Sequence, residues 1–397
     1  MAQYSPYSAD PRRWWRSPAT IGVLLIFIFP LLLMAIGWSL RGLPGLPTPQ
    51  TRPGRLPVAH WENKAALATP REDFGIATVD GRIWVLGGMG GDRASRLDTT
   101  EVYDPVADAW TYGPKLTTGR SAFRAAALDT TIYIFGGASS QAATLDTAEA
   151  LDTATGRWRT LPALPTPRSG HAVAALNGLI YAIGGANNGQ ASGAVDAFDP
   201  ATNRWSAVAA LPTPRANLAA VALNGKLYAF GGLQGDAPSA VLEVFDPASG
   251  GWSAGPPLLA PMANVGATVL AGRIYALSRG NNQVLDPRVD RWIAATEMPT
   301  ARDGQGVATS GDAFYAIGGR SDSSQVALNV VESYVLGAKA EPDNFRVTGY
   351  NPAGAFAVVF GLIATLVLTT TMLAVSRRRP RHNRDDPDGD GVVGGGQ

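Results

Sequence analysis

One ruler runs through most of the chain. Tryptophans stand at positions 61, 110, 158, 205, 252 and 292, and ten residues after each comes Arg71, Arg120, Arg168, Arg215, Met262 or Arg302. Thirteen residues further on is an aromatic: Trp84, Tyr133, Tyr181, Tyr228, Tyr275 or Tyr315. Three residues after that the chain reads Gly-Gly in five copies and Ser278-Arg279 in the remaining one. Self-similarity at a fixed spacing constrains a fold more than any local propensity does. A single repeat cannot bury its own apolar face, so the copies must stack on one another.

Each copy reads as four short strands. An apolar run such as His171–Leu176 meets Asn177-Gly178, and a second apolar run follows. Asn-Gly or Asp-Gly between two such runs is a hairpin signal, repeated at Asp80-Gly81 and Asn224-Gly225. After the glycines come a polar loop, a third strand carrying an acid near Asp-Pro, a turn, and a fourth strand with the tryptophan. The count predicts how the ring closes. Trp61 is a fourth strand with no blade before it, and the last copy has three strands with no tryptophan after them. The two ends should complete one blade, giving an all-β, six-bladed propeller over residues 58–337 with no exposed sheet edge.

The apolar run, the aromatic, the double glycine, the acid near Asp-Pro and the spaced tryptophan together resemble the Kelch-repeat β-propeller family. The resemblance implies the fold strongly and the function weakly, because Kelch propellers include protein-binding scaffolds, sugar-active enzymes and copper oxidases. A copper-radical oxidase of that type needs cysteine and histidine ligands. This chain has no cysteine, and its three histidines, His60, His171 and His382, are far apart. No cofactor and no metal is therefore expected. His171, which starts a first strand, reads as a packing residue. With a net charge near +1, nothing in the composition calls for a nucleic-acid partner.

Two further runs read as membrane spans. Residues 19–40 are apolar over about one bilayer thickness, with Pro30 in the middle, and residues 353–375 carry no charge before Arg377-Arg378-Arg379. Arginines precede the first span (Arg12, Arg13, Arg16) and follow the second, which places the tails 1–18 and 376–397 in the cytoplasm. A cleaved signal peptide is the rival reading of the first run. The expectation is a two-pass cell-membrane protein with its propeller outside, the absence of cysteine fitting a bacterial envelope. The spacer 41–57 holds five prolines and reads as extended, and 338–352 is a second linker. Both tethers should leave from the face of the third-to-fourth-strand turns, so that the loops after the glycines point away from the membrane.

Repeat length varies in one place. From the second glycine position to the third-strand acid the intervals are 13, 12, 11, 11, 4 and 13 residues. A fixed scaffold with free loops is where binding residues collect. The expected ligand-binding residues on this rim are Arg93, Arg96, Asn187, Asn188, Gln190, Arg279, Asn281, Asn282 and Arg320, with the short fifth copy leaving a notch. The repeated arginines have a different reading. Nine residues before each tryptophan stands Glu101, Glu149, Asp196, Glu243 or Gln283, with Glu332 at the matching place in the last copy. The copy that has Met262 in place of arginine is the one that has Gln283 in place of an acid. Joint loss of both charges implies structural pairs within a blade: Arg71 with Glu101, Arg120 with Glu149, Arg168 with Asp196, Arg215 with Glu243 and Arg302 with Glu332.

Gly251–Gly255 matches a G-x-S-x-G elbow, but it lies on a strand where that motif needs a strand-to-helix turn. Asp386–Gly391 imitates the start of a calcium loop without its closing glutamate, so the tail reads as acidic and disordered. The functional expectation is a membrane-anchored module that binds a protein or a glycan. The alternative is a metal-free carbohydrate-active enzyme, since some six-bladed Kelch-like propellers resemble sialic-acid mutarotases that use acid and base side chains near the channel.

Overall fold

The computed structural model describes residues 59–92 and 94–337. The two expected spans, their linkers and both tails lie outside the described residues. Among the described residues no helix is long and apolar enough to cross a membrane.

These residues form six antiparallel four-stranded sheets. In blade one the strands are Gly75–Val79, Arg82–Leu86, Thr100–Asp104 and Ala109–Gly113, running from the inside of the ring outward. Blades two to five repeat the plan. In blade six the inner three strands are Gly306–Ser310, Ala313–Ile317 and Val331–Leu336, and the outer strand is Ala59–Asn63 from the start of the propeller. Ala59 pairs with Leu336 and Asn63 with Glu332, so the ring is closed by the chain's own ends. Ala59 and Leu336 meet on the face opposite the double-glycine loops. The Asn177-Gly178 turn has φ of 52° and 79°, the left-handed pair that a two-residue hairpin requires.

The core lies between neighbouring blades. One layer joins Tyr133, Phe135 and Ala150 of blade two to Val173, Ile180 and Phe198 of blade three. Outside these layers the repeat tryptophans act as staples. Indole N–H groups of Trp110, Trp205, Trp252 and Trp292 donate to carbonyls of Ala65, Pro162, Ala209 and Pro256 at 2.7–3.0 Å. Each acceptor lies four residues after the previous blade's tryptophan. Trp61 donates to Thr296 at 3.2 Å by the same rule, so the staple also crosses the closure.

The double glycine is explained by what lies over it. The residue three after each repeat arginine is a plug: Phe74, Phe123, His171, Leu218 and, in the last blade, Gln305. At Gly88, φ is 104° and an added Cβ would stand 2.8 Å from the Glu72 carbonyl oxygen and 2.9 Å from Phe74 Cβ. At Gly87 it would meet the Arg120 carbonyl oxygen at 2.8 Å and Phe123 Cε1 at 3.3 Å. One glycine therefore receives the plug of its own blade and the other the plug of the next.

Beneath these glycines the arginine of blades one to four holds the neck of the loop, while Arg302 of blade six donates to the Thr300 and Ala316 carbonyls instead. Arg215 Nη1 donates to the carbonyls of Gly231 (2.8 Å) and Val241 (2.7 Å), the two stems of the loop, and Nη2 meets Glu243 at 2.7 Å. Arg71 does the same with Gly87 (2.9 Å), Thr99 (3.0 Å) and Glu101 (2.6 Å). Arg120 lies 3.5 Å from Glu149, Arg168 bonds Asp196, and Arg302 meets Glu332 at 2.7 Å. All five guanidiniums are buried. Burial lowers the pKa of Arg215, and the neighbouring Glu243 charge opposes that shift.

Blade five has no loop to hold. Its second and third strands, Arg273–Ser278 and Asn281–Asp286, are joined by Arg279-Gly280 alone. With φ of 51° and 84°, these two residues form a tight hairpin turn. Gln283 Oε1 still accepts from Leu259 N–H at 2.8 Å, the role the Glu101 carboxylate fills for Ala68, while its Nε2 lies 3.4 Å from Met262 Sδ. Here the structure corrects the reading of a polar loop. Asn281 and Asn282 belong to a strand, and Asn282 is buried with its amide donating to the Thr296 carbonyl at 3.0 Å.

Two measurements test this scaffold. Arg215→Ala leaves Glu243 buried and unpaired, and should cost about 3–5 kcal/mol in denaturant unfolding. The pair Arg215→Met with Glu243→Gln imports the blade-five solution and should cost less, though still about 1–3 kcal/mol because the Gly231 carbonyl loses its donor, while Val241 keeps the Gly231 N–H. A double variant no more stable than the single would show that the ion pair is not what the arginine supplies. His171 gives the second test. It is buried, neither ring nitrogen has a well-formed hydrogen bond, and burial first, then the charges of Arg168 and Arg124, push its pKa down to about 3. The folded state keeps the imidazole neutral while the unfolded chain takes a proton near pH 6.5, so this stability is whole above pH 6.5 and is lost as pH falls toward 3. His171→Leu, the residue type of Leu218 in blade four, should flatten the unfolding midpoint across that window; an unchanged acid slope would rule the histidine out as its source.

Candidate functional site

The inner strands surround a central cavity of about 90 Å³. At its mouth, on the face of the double-glycine loops, six residues in the left-handed region form a ring: Asp73, Ala122, Gly170, Asn217, Asn264 and Gly304, with φ from 50° to 63°. Backbone N–H groups link the ring from blade to blade. Asp73 donates to Gly304 (2.9 Å), Ala122 to Asp73 (2.8 Å), Gly170 to Ala122 and Asn217 to Gly170 (both 2.7 Å). Left-handed backbone at Ala122, which has neither glycine's freedom nor an Asn side chain, is a strained position held by its neighbours.

Charged side chains gather on the blade five, six and one side of this mouth. Asp303, buried, accepts from Arg320 Nη2 at 3.2 Å and from Arg279 Nε at 3.3 Å. Arg279 also lies 3.7 Å from Asp322, and Arg320 Nε lies 3.5 Å from Glu72, itself buried. The Arg279 side chain is 58% exposed and that of Asp322 44%, so the network has a buried base and an open top. Its low height comes from the missing blade-five loop. Asp73 and Arg124 stand further in, half-buried in solvent contact yet enclosed by the ring. Burial pushes the Asp73 carboxyl up, and Arg124 pulls against it. Among the described residues no group of acids and histidines could hold a metal ion.

The residues expected on the rim are therefore dispersed. Arg279 and Arg320 come together through Asp303. Asn187, Asn188 and Gln190 lie in a small hairpin of blade three, Ala186–Asn187 with Gln190–Ala191, where Asn188 and Gln190 are exposed. Arg96, half-buried, bridges to Met89 in blade one. Arg93 lies outside the described residues. Asn282 is buried within blade five. The sequence reading did not single out Glu72, Asp73, Asp303 or Arg124, which occupy the mouth. The signal was available by aligning the copies. The position four after the repeat arginine is Gly75, Ala172, Ala219, Gly266 or Gly306 in five copies, and Arg124 in the sixth.

Comparison with known proteins agrees with this architecture. A model of the KLHDC2/KLHL20/DRC7 Kelch-repeats domain matches residues 124–319, and a Kelch motif matches residues 70–117. An F-box/kelch-repeat protein of Arabidopsis thaliana is 39% identical over 80 residues, 20% of this chain and 21% of that protein. Kelch-like protein 33 of Homo sapiens is 36% identical over 77 residues, 19% of this chain and 14% of that protein. Kelch repeat and BTB domain-containing protein 12 of Homo sapiens is 27% identical over 155 residues, 33% of this chain and 24% of that protein. The chain thus spans a quarter or less of the length of these curated relatives. Among solved structures, that of YjhT superposes with a TM-score of 0.60 at 17% identity, covering 68% of this chain and 95% of the other, a likeness of fold. With six copies of the repeat in register, a ring closed by its own ends and two Kelch models that match residues 70–117 and 124–319 of it, the chain belongs to the Kelch-repeat β-propellers.

Proposed function

We propose that this protein is a membrane-anchored interaction module whose propeller binds a protein or glycan ligand at the mouth of the channel. The single observation that carries the reading is the ion network of Arg279, Asp303, Arg320, Glu72 and Asp322. Its buried acids, Glu72 and Asp303, are fixed in the scaffold while Arg279 and Asp322 stay open to solvent, an arrangement that presents charge in defined positions without needing to reorganise. The notch over blade five gives a ligand access to it. The apolar runs 19–40 and 353–375 support anchoring, with the propeller outside the cell membrane. The meeting of Ala59 and Leu336 on the opposite face supports a mouth directed away from the bilayer.

A second reading, a metal-free carbohydrate-active enzyme, is favoured by one observation. Asp73 is a carboxyl raised by burial, at the channel mouth with Arg124 opposing, the kind of environment that tunes an acid–base group.

The two readings separate by experiment. With the full chain in detergent, capture of ligand from envelope extract and on a glycan array should fall about tenfold in Arg279→Glu and stay unchanged in Arg204→Glu, an exposed outer-strand control. Equal capture by both variants would remove the mouth as the binding face. Catalysed anomer exchange of a reducing sugar, lost in Asp73→Asn, would instead favour the enzyme.

A further inference from the structure

The lining of the central cavity is mostly small and apolar, and Arg124 is its one charged side chain among the described residues. The wall position next to the plug is glycine or alanine in five blades and Arg124 in blade two. Packing explains the glycines. A Cβ at Gly75 would stand 2.6 Å from the Phe123 ring, and one at Gly306 would stand 2.4 Å from the Phe74 ring. A phenylalanine plug forbids a side chain in the blade before it. Blade three has His171 as its plug, and the place before it is the one that holds an arginine.

Arg124, half-buried, does not behave like the buried arginines of the repeat. Arg71, Arg215 and Arg302 each meet a carboxylate at 2.6–2.7 Å. Arg124 makes one hydrogen bond, from Nη1 to its neighbour's carbonyl at Phe123, at 3.2 Å. Among the described residues no carboxylate lies within ion-pair distance of it. A guanidinium has five N–H donors, so most of Arg124's capacity faces the cavity it lines. A second unmet group lines the same cavity. Gln305 is 2% exposed, its Nε2 donates to the Leu277 carbonyl at 3.0 Å, and its Oε1 has no partner. Asp73, at the mouth, adds an acceptor above them.

We propose that the channel is a binding site for a small carboxylate, held by Arg124 and bearing a hydrogen-bond donor that reaches Gln305 Oε1. The guanidinium fork matches a carboxylate through two parallel hydrogen bonds. Inside a channel, away from bulk water, such a contact is stronger than at the surface. A cavity of about 90 Å³ takes a ligand of a few heavy atoms, or the carboxylate end of a longer chain entering from the mouth. The donor is a hydroxyl, an amide or an ammonium. The site shares only its route of access with the mouth network, so it rests on the proposed function for that alone.

The test uses the full chain in detergent and thermal unfolding, with sodium lactate and glycine as probes. Their uncharged counterparts are lactamide and glycinamide, and triglycine with a free or an amidated end tests a chain-end source. Sodium chloride at equal ionic strength is the control. The carboxylates should raise Tm in a concentration-dependent way, by about 5–10 °C at 100 times their Kd, and the amides should not. A shift with free triglycine but not its amide assigns the chain-end source; a shift with lactate or glycine alone assigns the free acid. Arg124→Ala, which gives blade two the alanine found in blades three and four, should abolish the shift and leave the unliganded Tm equal or higher, because it removes a half-buried cation with one hydrogen bond. Absence of a carboxylate shift in the wild type, the same shift with chloride, or a shift retained in Arg124→Ala would each overturn the site. So would a fall in unliganded Tm on that substitution, which marks a structural arginine. Arg279→Glu should keep the carboxylate shift while losing capture of the larger ligand, so failure of one reading is separable from failure of the other.

Discussion

A carbonyl at each neck of a double-glycine loop has to be satisfied, and that requirement organises the repeat. Where the chain leaves the second strand through two glycines, the first glycine's N–H still reaches the far stem, Gly87 to the Thr99 carbonyl at 3.0 Å and Gly231 to the Val241 carbonyl at 3.1 Å, while its own carbonyl takes its donor from the arginine. Arg71, Arg120, Arg168 and Arg215 supply the donors from one Nη atom each. A buried guanidinium then needs an anion, which the third strand provides. The glycines are obligatory for a separate reason, since plugs from two blades lie over them. Arginine, acid, glycine pair and loop are therefore one device.

Blade five shows the device removed whole. Once Arg279-Gly280 turns the chain directly, the ladder continues to Ser278 and Asn281 with no loop stems to hold, and methionine and glutamine stand at positions 262 and 283. Gln283 keeps only the part of the acid's work that concerns the backbone, accepting from Leu259. The same simplification lowers the rim over blade five. Arg279 then stands beside Asp303 of blade six, and the charged side of the mouth follows from a change in loop length.

Much of this was legible in the sequence. Spacing from Trp61 to Arg302 showed the number of blades and the way the ends close, because in a stacked repeat the interval between core residues is set by strand length. Joint loss at Met262 and Gln283 pointed to pairs such as Arg215 with Glu243. Asn282 was misread as loop because a short interval after Arg279 looks the same whether the loop is trimmed or replaced by a hairpin. Asp73 and Arg124 were passed over because each lies in a segment whose neighbours resemble core. Their contact with the channel depends on the left-handed turn at Asp73 and Ala122, which residue type at position 122 does not announce.

The sequence alone determined the repeat, its four-strand unit, the closure and the two apolar runs at the ends, since these rest on periodicities of one and two strands along the chain. Tertiary structure decided the site. Six copies of one position come together only when the ring closes, so Arg124 among glycines and alanines, and Gln305 from blade six, line one cavity although some 180 residues of chain separate them. That contact is a property of the circle, and no local stretch of sequence carries it.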